Sequence, residues 1–145
     1  MSSPDESSAS VNIATAQAVL DAVPFHDRVL RPRVIAVDTA RGQLDVALDG
    51  NPDLCRSTES DALHGGVVAS LIDLAAYNAA ALHKGLATPT LDLRIDYLRP
   101  AVAPLRASAR VVRAGRSVVT VDVAVEDSTG RLVALGRGSF SVAGG

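Results

Sequence analysis

In the stretch LHGGVVASLIDLAAYNAAALH, Leu63 to His83, nearly every residue is apolar, yet Asp73 sits in its middle. An ionised carboxylate in such surroundings is costly unless it is paired or hydrogen-bonded. A chain that keeps one there has a use for it, because a desolvated carboxylate becomes a stronger base. The stretch opens with His64-Gly65-Gly66, which reads as the first turn of a helix, with Asp61 as the candidate N-cap. Helix starts leave backbone N–H groups unpaired and carry partial positive charge. Two glycines let another group approach that backbone closely, so the turn can hold an anion or a polarised carbonyl oxygen. Ser70, Asp73 and Tyr77 share one helix face, and Asn78 adds polarity beside them. Tyr77 and Asn78 are therefore candidates to line a substrate pocket and to favour a polar or aromatic group in it.

Spacing constrains how these groups work together. Gly65 and Asp73 stand eight positions apart, roughly 12 Å along one helix axis. An oxyanion donor and a base acting on one carbonyl must both lie within a few ångströms of it. One helix cannot supply both. Two antiparallel helices related by a twofold axis can, and they create two identical shared sites.

The elements around this helix follow from apolar periodicity. Val11 to Ala22 reads as a short helix ended by Pro24. RVIAVDTARGQLDVALD reads as two strands joined at Ala40-Arg41-Gly42. After Gly85, four runs alternate with period two: Leu91, Leu93, Ile95 and Tyr97; then Leu105, Ala107, Ala109 and Val111; then Val119, Val121, Val123 and Val125; then RLVALGRGSFSV. The expected architecture is α+β, in the order β-β-α-β-β-β-β after an N-terminal helix. An antiparallel sheet wraps around one long central helix that needs cover on most sides. A sheet edge and some apolar surface stay open in a single chain, which favours self-association.

Bulk composition narrows the function classes. The chain has 145 residues, 48% hydrophobic and 21% charged, as expected for one globular domain over 11–145. MSSPDESSAS lacks the pattern of a secretory signal and reads as a disordered tail over 1–10. The net charge of −2 argues against a nucleic-acid surface. Cys55 is the sole cysteine, which excludes an intrachain disulfide and suits the cytoplasm. No run was expected to approach a membrane span of ~20 apolar residues.

LHGG with Asp73 eight residues beyond Gly65, followed by TLDLRIDYLRPA, resembles the hotdog-fold acyl-CoA thioesterases. The nearest likeness is to the PaaI-like group of the 4-hydroxybenzoyl-CoA thioesterase superfamily, and it covers roughly 33–142. The resemblance implies a hotdog fold and hydrolysis of an acyl-CoA thioester to free acid and coenzyme A. It implies no metal and no cofactor beyond the coenzyme A of the substrate. It casts Asp73 as the catalytic carboxylate and the Gly65 N–H as the oxyanion donor. His64 is cast as fixing that turn or touching substrate, and Thr90 as helping to place the water. It also implies a homodimer, commonly a dimer of dimers, with sites at subunit interfaces. One position departs from the pattern. Relatives carry Asn or Gln where this chain has Thr58, whose hydroxyl is a shorter-reaching second donor.

Further substrate-binding candidates are Gly66, Ser70, Tyr77 and Asn78, with Arg94, Arg99, Arg113 and Arg116 for the phosphates of coenzyme A. Three readings stay open. One is an acyl-CoA thioesterase. The second is a non-hydrolytic acyl-CoA-binding or regulatory protein on the same fold, which the Thr58 departure supports. The third, a dehydratase or hydratase, is disfavoured because His64 precedes two glycines rather than sitting in such an enzyme's motif.

Overall fold

A computed structural model describes residues 4–85 and 89–142, with side chains from Asn12 onward. The element order is α1 (Pro4–Asp21), a six-residue π-helical turn (Phe25–Leu30), β1 (Arg33–Asp38), β2 (Gln43–Leu48), a single 3-10 turn (Pro52–Leu54), α2 (Gly65–Lys84), β3 (Thr90–Tyr97), β4 (Leu105–Ala114), β5 (Val118–Asp127) and β6 (Leu132–Ser141). The order of strands and helices matches the periodicity. The differences here lie in α1 and in the turn that follows it. The first helix begins at Pro4, inside the segment expected as a tail, while Met1–Ser3 lie outside the described residues. The π-helical turn carries no periodic signal and was not anticipated.

All six strands form one antiparallel sheet in the order β1-β2-β4-β5-β6-β3. Alternation decides its inner face. Leu105, Ala107 and Ala109 are buried while Arg106, Ser108 and Arg110 are exposed, and Val119, Val121, Val123 and Val125 are buried throughout β5. On the outer face, Arg137 pairs with Asp122 and Arg106 with Asp45. The Arg137 guanidinium holds the Asp122 carboxyl below its usual range.

α2 lies against the inner face and buries Val68, Leu71, Ile72, Leu74 and a run of alanines among β2, β4, β5 and β6. Gly136 makes this close approach possible, since a Cβ there would stand 2.5 Å from Ile72 Cγ2. By length and apolar composition α2 is enough to cross a bilayer, contrary to the sequence expectation. Most of its surface is buried against the rest of the protein, as a core helix of this composition requires.

α1 covers another part of α2 and the start of β1. Ala16 and Leu20 are buried. Gln17 docks the helix through two hydrogen bonds, accepting from the Val34 N–H (2.7 Å) and donating to the Pro32 carbonyl (3.0 Å). β3 departs from its expected burial. Leu91 and Tyr97 are 57% and 55% exposed and Leu93 and Ile95 only half-buried, and the register with β6 slips at Leu91, between Thr90 and Asp92. The cause is position: β3 is the last strand of the sheet, paired only with β6. Its other edge is open among the described residues.

Candidate functional site

The loop before α2 sets where the helix begins. Leu63 N–H donates to the Ala101 carbonyl (2.8 Å) and His64 N–H to the Leu54 carbonyl (2.9 Å), pinning the chain on both sides. The helix therefore starts at Gly65, and its N-cap is His64, three residues beyond the expected Asp61. His64 Nδ1 accepts the Gly66 N–H at 2.9 Å, which requires a neutral ring with its proton on Nε2. A Cβ on Gly66 would meet that Nδ1 at 3.0 Å, so a side chain at the second glycine would press on the capping ring. Tyr97 fastens the same turn, its hydroxyl donating to the Gly65 carbonyl at 2.8 Å. The Gly65 N–H finds no acceptor among the described residues. Gly65 borders a hollow of about 390 Å³ together with Tyr97, Leu98, Arg99 and Val68.

A second cluster lies at the middle of α2. Asp73 is half-buried, and the Thr90 hydroxyl donates to its Oδ1 at 2.8 Å. The first residue of β3 is thus placed on the carboxylate by the β3–β6 register. Both residues border a cleft of about 740 Å³. Leu74 and Tyr77 of α2, residues of α1 and the turn after it, and His26 complete its lining. The Tyr77 ring packs edge-on against Phe140 at 6.3 Å between centroids.

Nothing in the local sequence marks His26 as a site residue; only the docking of α1 and its following turn brings it to the cleft beside Asp73. Its Nδ1 is buried without a hydrogen bond of ordinary geometry. Burial lowers the imidazole pKa, while the Leu20 carbonyl and the Asp73 carboxylate act in the opposite direction. Tyr97 was read only as an apolar strand residue, although a tyrosine hydroxyl that packs near a helix end usually seeks an acceptor.

Other candidates fall elsewhere. Thr58 is exposed and lines a separate hollow with Cys55, Glu59 and Asp61, apart from the one at Gly65. Ser70 turns its hydroxyl back to the Gly66 carbonyl at 2.8 Å. Asn78 does not line the cleft: it is fully buried and its amide donates to the Ala16 carbonyl at 3.0 Å, tying α1 to α2. Arg94 pairs with Asp96, and Arg99 donates to the Leu132 carbonyl beside the Gly65 hollow. Arg113 and Arg116 are exposed at the β4–β5 hairpin. The register Thr90–Phe140–Val119–Ala114 puts that hairpin at the same end of the sheet as Thr90, about 14 Å away across three strand spacings. Among the described residues, no three His, Cys, Asp or Glu side chains gather as a metal site would need.

One helix therefore carries an N–H without an acceptor among the described residues at its start and a hydrogen-bonded carboxylate in its middle. The chain as a whole is similar to known proteins. A family model described as the thioesterase superfamily matches residues 61–134. A crystal structure of a thioesterase-superfamily protein superposes with a TM-score of 0.83 at 31% identity, covering 91% of this chain and 98% of that one. The Escherichia coli PaaI protein, from the phenylacetic acid degradation operon, superposes with a TM-score of 0.75 at 29% identity, covering 92% of each chain. A Halobacterium salinarum protein named as a candidate esterase is 43% identical over 90 residues, 55% of this chain and 60% of its own length. The chain spans 60%, 59% and 55% of the three curated relatives it matches.

Proposed function

Because the chain belongs to the thioesterase superfamily, we propose that it hydrolyses an acyl-CoA thioester to the free acid and coenzyme A. The observation that carries this reading is the Thr90–Asp73 hydrogen bond at the edge of a largely apolar cleft. It leaves a carboxylate oriented toward a space suited to an acyl group. The Gly65 N–H of one subunit polarises the thioester carbonyl, and Asp73 of the partner subunit takes a proton from water. The water oxygen adds to the carbonyl carbon, the carbon–sulfur bond breaks, and the thiolate leaves and takes up a proton. Direct attack by Asp73 gives the same net reaction through an anhydride, which trapping under single turnover would reveal.

Sharing follows from distance, since roughly 12 Å of helix separates the two groups in one chain. The open edge of β3, with Leu91, Tyr97 and Leu98 exposed, favours a homodimer, and we extend this to a dimer of dimers. A cytoplasmic enzyme whose only cofactor is the coenzyme A of its substrate completes the reading.

One observation favours a second reading. Thr58 stands in a hollow apart from Gly65, so within a chain its hydroxyl does not join the Gly65 N–H as a second donor to the carbonyl. Loss of one such donor costs ~10²–10³ in rate, and a non-hydrolytic acyl-CoA-binding protein is the limit of that weakening. Thiol release from short, long and aryl acyl-CoA thioesters, by wild type and Asp73→Asn side by side, separates the two. Release by wild type alone is expected. Tight binding of coenzyme A thioesters without release would move the assignment to a binding protein.

A further inference from the structure

α1 has two apolar faces, and only one is needed to hold it down. Ala16 and Leu20 point into the core with almost no exposure. Beside Thr15, a second, apolar stripe runs through Ala18 and Val19 on the last turns of α1 and Ala22 and Val23 just past its end at Asp21, at the i, i+1, i+4, i+5 spacing of one helix face. None of these five is buried. All five line the cleft that holds Asp73 and Thr90. An apolar stripe that folding leaves uncovered calls for another occupant. Its continuity with the carboxylate indicates which: something apolar attached to the atom on which Asp73 acts. From Thr15 to Val23 this lining covers nine residues, roughly 12 Å at the rise of a helix, far longer than an acetyl group requires.

We propose that this face of α1 is the acyl-recognition wall. It selects an apolar acyl group of medium length, and Ala18 and Ala22, the smallest side chains in the stripe, set the depth available to it. The proposal rests on the thioesterase reading for its reaction, but its geometry can be read by binding alone.

The test uses Ala18→Leu and Ala22→Leu in the full chain, against a series of saturated acyl-CoA thioesters from butyryl to dodecanoyl. Each methylene removed from apolar contact is worth about fourfold in affinity. Filling the wall with a leucine side chain should therefore lower the dodecanoyl-to-butyryl ratio of kcat/KM by about tenfold to fiftyfold. Leucine is nearly as good a helix former as alanine, so α1 should persist. The two sites also serve as independent variants should one fold poorly. A ratio unchanged from wild type in both variants would overturn the proposal, even if overall activity fell.

If wild type cleaves none of these thioesters, the hydrolytic reading fails, and titration calorimetry with the same series still reads the wall. Chain-length-dependent loss of affinity in the variants supports it, and length-independent affinity in wild type overturns it. Sedimentation of the same variants covers the rival occupant. A weakened dimer with an unaltered chain-length profile would make the stripe a contact with a second copy and would refute the wall.

Discussion

Replacing Thr90 with valine isolates one contact of the site. The change removes a hydroxyl and keeps the β-branched shape, so the start of β3 retains its preferred backbone. What is lost is a hydrogen bond of 2.8 Å to Asp73 Oδ1. Hydrogen bonds to a charged group are worth about 1.5–3 kcal/mol. Thr90 is exposed in a single chain and Asp73 only half-buried, so the lower end applies, about 1.5 kcal/mol, or about tenfold in rate. If the hydroxyl orients the carboxylate, kcat falls about tenfold while KM changes little, since the acyl wall is untouched. Thr90→Ser, which keeps the hydroxyl, should recover most of the loss. The assay is thiol release under single turnover, with thermal melting to confirm that all variants fold. A Thr90→Val enzyme within twofold of wild type would show that Asp73 needs no orienting partner, and the role assigned to Thr90 would be wrong. A loss that serine fails to rescue would point instead to packing at the β3 start.

Two further predictions concern the helix start and pH. Both Gly65→Ala and Gly66→Ala gain helix propensity, but Gly66→Ala should lower the melting temperature relative to Gly65→Ala by displacing His64 from its capping position, a difference of about 1 kcal/mol, the usual worth of an N-cap. Gly65→Ala carries no such loss, because its Cβ would meet Tyr97 at an ordinary 3.6 Å; equal melting of the two variants would contradict the cap assignment. His26 has a folded-state pKa below its ordinary 6.5 because burial disfavours the imidazolium. Between those two values the unfolded chain binds more protons than the folded one, so stability rises with pH across the interval and falls as pH drops through it. His26→Gln should flatten the dependence of melting temperature on pH below 6.5, and an unchanged slope would remove burial as its cause.

How much of this was legible beforehand depends on how local each cause is. Strand alternation survives because inward and outward side chains differ in polarity regardless of which strand lies next door, and β4 and β5 follow it along most of their length. β3 shows the limit of the same rule. Its alternation is present, but its burial depends on being the last strand, which no residue in it encodes. The N-cap moved from Asp61 to His64 for a similar reason, since backbone hydrogen bonds to Leu54 and Ala101 fix where the chain can begin to coil. Asn78 looked like a pocket residue from helix polarity, and the arrival of α1 on that side converted it into a buried anchor.

By itself the sequence determined a long apolar helix, a two-then-four arrangement of strands, and the placement of Gly65 and Asp73 on one axis too far apart to act together. These follow from residue periodicity and the fixed rise of a helix, which need no knowledge of neighbours. Tertiary structure alone decided that Thr90, 17 positions away, hydrogen-bonds to Asp73, and that Tyr97, 32 positions away, holds the Gly65 carbonyl. It alone brought His26 and the second face of α1 to the cleft. Such contacts arise from strand register and from the way one element docks on another, and many residue pairs of the same types would have satisfied the local pattern equally well.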